Sequence, residues 1–161
     1  KLGNVGLMRL NYLHPPFDNL KARQAVLAAV NEETYMRAMV GNPQYFKACG
    51  TLFTCGSAMD VDTDAEKGTK PNIELAKQLV KESGYDGKPV VILQPTDIPV
   101  LNNAALVTAQ VLRSIGMNVE LAASDWGGVV TRRAVKARSA VWSRSSATCS
   151  TVTATSAWGA T

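Results

Sequence analysis

The chain has 161 residues, of which 46% are apolar, and a formal net charge of +4. That length supports one core. No apolar run approaches the ~18 to 20 residues needed to cross a bilayer, so neither a membrane-spanning helix nor membrane insertion is expected. The charge would suggest an anionic partner, but Arg132, Arg133, Lys136, Arg138 and Arg144 hold five of the 17 basic residues while all 13 acids lie at or before Asp125. Residues 1–131 are therefore nearly neutral, and a short basic cluster with only Trp142 and Trp158 for base stacking makes nucleic acid an unexpected partner. The opening KLGNVGLMRLNYL has no basic start, continuous apolar stretch or small-residue cleavage site, and so is not expected to be a signal peptide.

In chain order, Val5 to Leu13 is predicted to be a strand with apolar groups on both faces, as in a buried central strand. His14, the single histidine, reads as a solvated or hydrogen-bonded loop residue rather than a catalytic base, because nothing nearby supplies a nucleophile with an orienting acid. One histidine also excludes a multi-histidine metal site within the chain. Pro15 and Pro16 withhold two N–H donors and end the strand. Asp18 or Asn19 then caps a helix whose expected apolar face is Leu20, Val26, Leu27 and Val30. Asn31 caps a second helix, with Glu32 and Glu33 in its first turn, a stripe of Tyr35, Met36, Met39 and Val40, and Gly41 at its end.

The connection from Asn42 to Pro71 is longer than the ~12–15 residues usual for a structureless loop. Within it Cys49 and Cys55 are spaced more widely than the C-x-x-C of redox or zinc sites, and no second pair completes a metal site. Both a disulfide and two buried free thiols fit this spacing. Asp60, Asp62 and Asp64 lack the glycine and distal glutamate of a calcium loop.

Asn72 caps the third helix, with Ile73, Ala76, Leu79 and Val80 as its core stripe and Gly84 as its stop. Pro89 to Leu93 reads as a wholly apolar strand. Pro99 to Ile115 is the longest helix, with Leu101, Ala105, Thr108, Leu112 and Ile115 on one face and Gly116 at its end, and Met117 to Ala123 is the next strand. Strand, helix, strand of this size predicts a βαβ unit and an α/β chain. Nucleotide, hydrolase and zinc-protease motifs are absent, no cofactor is expected, and the adjacent Glu32 and Glu33 diverge around a helix too far to work as an acid/base pair. Asp125 and Trp126, with Arg132 and Arg133 following, stand at the end of a parallel strand, where open α/β sheets bind ligands. Arg132 belongs to a different helix face, so at most one of the arginines serves.

The order of an extended strand, Pro16-Phe17-Asp18-Asn19 and Lys21-x-Arg23-x-Ala25 closely resembles the periplasmic solute-binding proteins of ABC importers, the dipeptide- and oligopeptide-binding (family 5) type. The resemblance continues through Asn31-Glu32-Glu33-x-Tyr35, the long loop, PNIELAKQLVKESGY ending at Tyr85, and VELAASDW ending at Trp126. It implies an incomplete α/β lobe over residues 1–137, with helices packed on a mostly parallel sheet in a periplasmic-binding-protein-like fold and a chain that begins in mid-protein. It further implies a non-enzymatic, periplasmic or otherwise extracytoplasmic receptor that takes up a peptide or similar small solute between two lobes and presents it to an ABC permease. In such proteins a tryptophan at this strand end and an arginine seven residues on line the ligand cleft, which maps to Trp126 and Arg133. The other reading of that pair is a core anchor and a solvated arginine. A periplasmic location also implies a Cys49–Cys55 disulfide.

The resemblance stops after Ala137. Residues 138–161 form an atypical Ser/Thr/Ala-rich tail, and no Leu, Ile, Phe, Asp, Glu, Asn, Gln or Pro follows Trp126. A reading-frame shift or an otherwise altered chain would produce this composition, and Thr148 to Thr155 is predicted as an edge strand or a contact with a neighbouring molecule. The competing functional class is a small α/β enzyme or regulatory module whose site a partner chain completes.

Overall fold

A computed structural model describes residues 6–48, 70–134 and 148–154. The elements in chain order are β1 (Gly6–Arg9), α1 (Leu20–Ala29), α2 (Glu32–Val40), a short 3-10 turn (Pro43–Tyr45), α3 (Ile73–Glu82), β2 (Val90–Pro95), α4 (Pro99–Ser114), β3 (Val119–Ser124), α5 (Trp126–Ala134) and β4 (Thr148–Ala154). The strands make one four-stranded sheet in the order β1-β4-β2-β3. β2 is parallel to both β3 and β4, and β1 is antiparallel to β4. The expected βαβ unit is β2-α4-β3.

β2 is buried on both sides, and strand alternation separates its two faces. Val90 and Ile92 join the main core with Phe17, Ala76, Leu112 and Ile115. Val91 and Leu93 are also buried and point to the opposite face, where α5 crosses the sheet and carries the fully buried Val129. Each of the larger core side chains contributes ~1.5–3 kcal/mol by leaving water.

α1 and α3 are locked together at both ends. Asn19 caps α1, its Oδ1 accepting from the Lys21 N–H at 2.8 Å, while its Nδ2 donates across to the Ser83 carbonyl at 3.0 Å. At the other end the Asn72 N–H donates to the Ala28 carbonyl at 2.7 Å. Arg23 curls back to donate to the carbonyls of Phe17 at 2.7 Å and Asp18 at 3.0 Å. Phe17 itself is 0% exposed. The Pro-Phe-Asp-Asn-x-Lys-x-Arg string is thus a helix-docking device.

Four expectations are corrected. The buried face of α1 is Ala22, Ala25, Val26 and Ala29, so that of the expected face Val26 is buried and Val30 packs against the core, whereas Leu20 is 58% and Leu27 50% exposed; the alanines bring the α1 backbone close enough to α3 for the Asn72–Ala28 bond. In α2 no residue is fully buried; among the described residues the helix rests mainly on α4, and Tyr35, Met36, Met39 and Val40 are half-buried. β1 spans only Gly6–Arg9 and lies at a sheet edge. Its ladder ends early because the Asn11 Oδ1 accepts from the Leu13 N–H at 3.1 Å and turns the chain before the prolines. β4 is not an edge strand: it sits between β1 and β2, paired from Val90↔Thr148 to Leu93↔Thr151 and from Gly6↔Ala154 to Arg9↔Thr151. Its β-branched run suits a strand, but only tertiary pairing decides where in the sheet it goes.

The remaining helix ends agree with the sequence. Asn31 accepts from the Thr34 N–H at 3.1 Å and Asn72 from the Leu75 N–H at 3.0 Å. Gly41, Gly84 and Gly116 have positive φ, the conformation that favours glycine beyond a helix end.

Candidate functional site

The parallel strands β4, β2 and β3 end on one edge of the sheet. From β2 the chain passes through α4 to β3 on one side, whereas β4 lies on the other, so the strand order reverses between β2 and β4. Open α/β sheets form their ligand crevice outside the carboxyl ends at such a reversal. Here the edge comprises Thr96, just beyond β2, and Ser124, Asp125 and Trp126 at the passage from β3 into α5.

This passage is held by short bonds. The Thr96 N–H and hydroxyl both donate to the Ser124 carbonyl, at 2.9 and 3.3 Å. Asp125 Oδ1 accepts from the Gly128 N–H at 2.7 Å and the Asp125 carbonyl accepts from the Val129 N–H at 3.1 Å. The Thr131 hydroxyl donates to the Gly127 carbonyl at 3.0 Å. Trp126 is the first residue of α5 and is half-buried. Position 133 follows seven residues later, so helical periodicity returns it to nearly the same face, about 10 Å along the axis. The backbone therefore brings positions 126 and 133 into one line and sets Arg132 off to the side.

Of the groups at this edge, sequence reasoning singled out Trp126 and Arg133 and passed over Thr96, Ser124 and the capping role of Asp125. The available signal was an aspartate between a strand and a helix that opens Trp-Gly-Gly. Cys49 and Cys55 lie outside the described residues.

The shifted titratable groups belong to structural contacts elsewhere. Burial raises the Tyr35 hydroxyl to about 12, against a smaller opposing effect of its hydrogen bond with Thr108; that hydroxyl donates to Thr108 Oγ1 at 3.0 Å, and Thr108 in turn donates to the Ala104 carbonyl at 2.8 Å. Burial also raises Tyr85, whose oxygen accepts from the Asn118 N–H at 3.0 Å at the start of β3. Bonds from Lys21 and Gln78 lower Glu82, and bonds from Lys88 lower Asp86. A cleft of about 430 Å³ lies between Pro15, Asp18 and Asn19 on one side and Ser83, Tyr85 and Asp86 on the other. It is the seam of the α1–α3 junction, bridged by the Asn19–Ser83 bond. Among the described residues no cluster of His, Cys, Asp and Glu suited to a metal is present, and no helix is long and apolar enough to cross a membrane.

The family pattern described as "Bacterial extracellular solute-binding proteins, family 5 Middle" matches residues 1–158. A probable peptide ABC transporter periplasmic-binding protein of Sinorhizobium fredii is 50% identical over 129 residues, covering 78% of this chain and 24% of that protein. The chain thus spans about a quarter of the length of that relative. Among solved structures, the ABC transporter substrate-binding protein CtaP of Listeria monocytogenes superposes with a TM-score of 0.71 at 24% identity, over 80% of this chain and 26% of the other. A dipeptide-binding protein of Pseudoalteromonas in complex with Met-Leu superposes with a TM-score of 0.62 at 25% identity, over 99% of this chain and 30% of the other.

Proposed function

Because this chain belongs to the family 5 bacterial extracellular solute-binding proteins, we propose that it is part of one lobe of an extracytoplasmic receptor that binds peptides or related solutes and delivers them to an ABC importer. It performs no chemistry itself. The observation that carries this reading is the coincidence of the family match with a parallel sheet whose carboxyl edge bears Trp126 at the end of β3. The indole covers an apolar part of the solute, and the Arg133 guanidinium holds a carboxylate through paired hydrogen bonds. The relatives named above are binding proteins, which favours this reading over an enzyme completed by a partner chain.

One lobe supplies one wall. A receptor of this kind gains affinity by burying a ligand between two facing walls, and a single wall leaves ion pairs solvated and screened. The 161-residue chain titrated calorimetrically with mixed di- to pentapeptides is therefore expected to show dissociation constants of millimolar or weaker. A chimera in which the Sinorhizobium fredii relative supplies the rest of the protein is expected to bind such peptides at least a hundredfold more tightly, about 2.7 kcal/mol, and to lose that gain in Trp126→Ala or Arg133→Ala. A folded chimera that binds no peptide, or one indifferent to both substitutions, would refute the proposed function or the proposed site, respectively.

A further inference from the structure

We propose that Asp125 is the positioning residue of Trp126: its carboxylate closes the first turn of α5 over Trp126 and Gly127, and Gly128 is glycine because that closure leaves no room for a side chain. The proposal deepens the reading of Trp126 as a solute-contacting residue and rests on it for its functional meaning. Its structural content stands separately.

Trp126 is followed by two glycines, the poorest helix formers after proline, each costing ~1 kcal/mol relative to alanine within a helix. A helix that opens this way needs its first turn fixed from outside. Asp125 does so through both its groups, Oδ1 to the Gly128 N–H at 2.7 Å and the carbonyl to the Val129 N–H at 3.1 Å. Upstream the Ser124 carbonyl is tied to Thr96, and downstream the Gly127 carbonyl to the Thr131 hydroxyl. Trp126 thus hangs from a backbone held on both sides, which fixes the point from which the ring projects before a solute arrives and reduces the ordering cost of binding.

The two glycines differ. A Cβ at Gly128 would lie 2.9 Å from Asp125 Oδ1, 3.1 Å from Ser124 Oγ and 3.2 Å from Ser124 Cβ, whereas one at Gly127 would meet nothing nearer than the Asp125 carboxylate at 3.9 Å. Only Gly128 is demanded by the clamp. The clamp also places a carboxylate at the positive end of α5, which favours an apolar solute group beside Trp126 and leaves carboxylate recognition to Arg133.

The test uses the full 161-residue chain with Trp142→Phe and Trp158→Phe, which makes Trp126 the sole tryptophan of the original three. Its near-ultraviolet circular dichroism and acrylamide quenching are read well below the thermal transition. Asp125→Ala and Gly128→Ala are expected to lose the dichroic band and gain quenching, whereas Asp125→Asn, which keeps an accepting oxygen, and Gly127→Ala are expected to match the parent. A residue that merely added stability would shift the melting temperature and leave the pre-transition signal intact. An unchanged signal in Asp125→Ala, or a loss in Asp125→Asn as large as in Asp125→Ala, would overturn the proposal. Should Asp125→Ala fail to fold, equal signals from Gly127→Ala and Gly128→Ala would overturn it instead. None of these readouts requires a bound peptide, so failed binding by the chimera and failure of the clamp remain separate results.

Discussion

The α1–α3 junction and the start of α5 are both built around an Asp or Asn that caps a helix, yet they are wired differently. Asn19 caps α1 and also reaches Ser83, 64 residues away, and beside it Lys21 reaches Glu82 over 61 residues. The hydrogen bonds of Asp125 stay local, to Gly128, Val129 and the neighbouring Ser124 hydroxyl. The first arrangement holds two helices together and the second orients one ring at the edge of the sheet. The string that makes the chain recognisable is therefore mostly architecture, and the part proposed to face the solute is a short turn with little sequence to mark it. Substitutions at the junction are expected to change global stability without changing the Trp126 signal of the folded chain, whereas substitutions at the α5 turn are expected to change that signal in the folded chain whatever the lost cap costs in stability.

The largest effect is expected from Phe17→Ala. Phe17 is 0% exposed within the main core, and its carbonyl accepts the 2.7 Å bond from Arg23. Truncation leaves a cavity under α1 and should cost ~3–5 kcal/mol, read as a lower urea midpoint at constant slope. If the melt instead held while the Trp126 band of the folded protein collapsed, the two regions would not be independent.

An effect of intermediate size comes from the α2–α4 contact. Burial raises the Tyr35 hydroxyl to about 12 in the folded chain, above its ordinary value of 10.0, so folding favours the protonated phenol. The associated stability is fully present below about pH 10 and is lost as pH rises towards 12, because the unfolded chain ionises first. That rise corresponds to roughly 3 kcal/mol at the upper limit. Tyr35→Phe should cost only ~0.5–1.5 kcal/mol at neutral pH, since Thr108 keeps its bond to Ala104, and should fall less steeply than the parent across that window. Parallel curves for the two proteins in alkaline urea melts would contradict the burial of this hydroxyl.

The contrast between the two regions also explains what could be read from the sequence. Asn31, Asn72 and the glycines at 41, 84 and 116 are local signals, and each acts where the sequence places it. The apolar stripe of α3 and the long face of α4 follow from spacing alone. The α1 face was equally legible, since Ala22, Ala25, Val26 and Ala29 have helical spacing, but the leucines drew the assignment away from it. The interior place of β4 and the edge place of β1 depend on long-range pairing that alternation cannot encode. At the site, helical periodicity relates positions 126 and 133, whereas the Asp125 clamp depends on the approach of Gly128 to a carboxylate, a distance that only the folded backbone reveals.

The smallest effect is expected from Glu82→Gln, although its charged hydrogen bond resembles a reason for α1 and α3 to meet. Lys21 Nζ lies 2.9 Å from Glu82 Oε2, with the two side chains 50% and 38% exposed. Bonds from Lys21 and Gln78, together with the Lys21 charge, lower the Glu82 carboxyl below its ordinary range. Any stability linked to it is present above the unfolded value and is lost as pH falls through the lowered folded value. Because the pair faces solvent and salt, water compensates for most of it. Asn19 has a different standing: its side chain satisfies a helix N–H and a carbonyl of the partner helix, and Asn19→Ala should cost ~1–2 kcal/mol. Urea melts at neutral pH in low and high salt should show Glu82→Gln indistinguishable from the parent in both and Asn19→Ala clearly weaker in both. A Glu82→Gln loss as large as that of Asn19→Ala, shrinking in high salt, would make the junction an electrostatic contact rather than a capped and packed one.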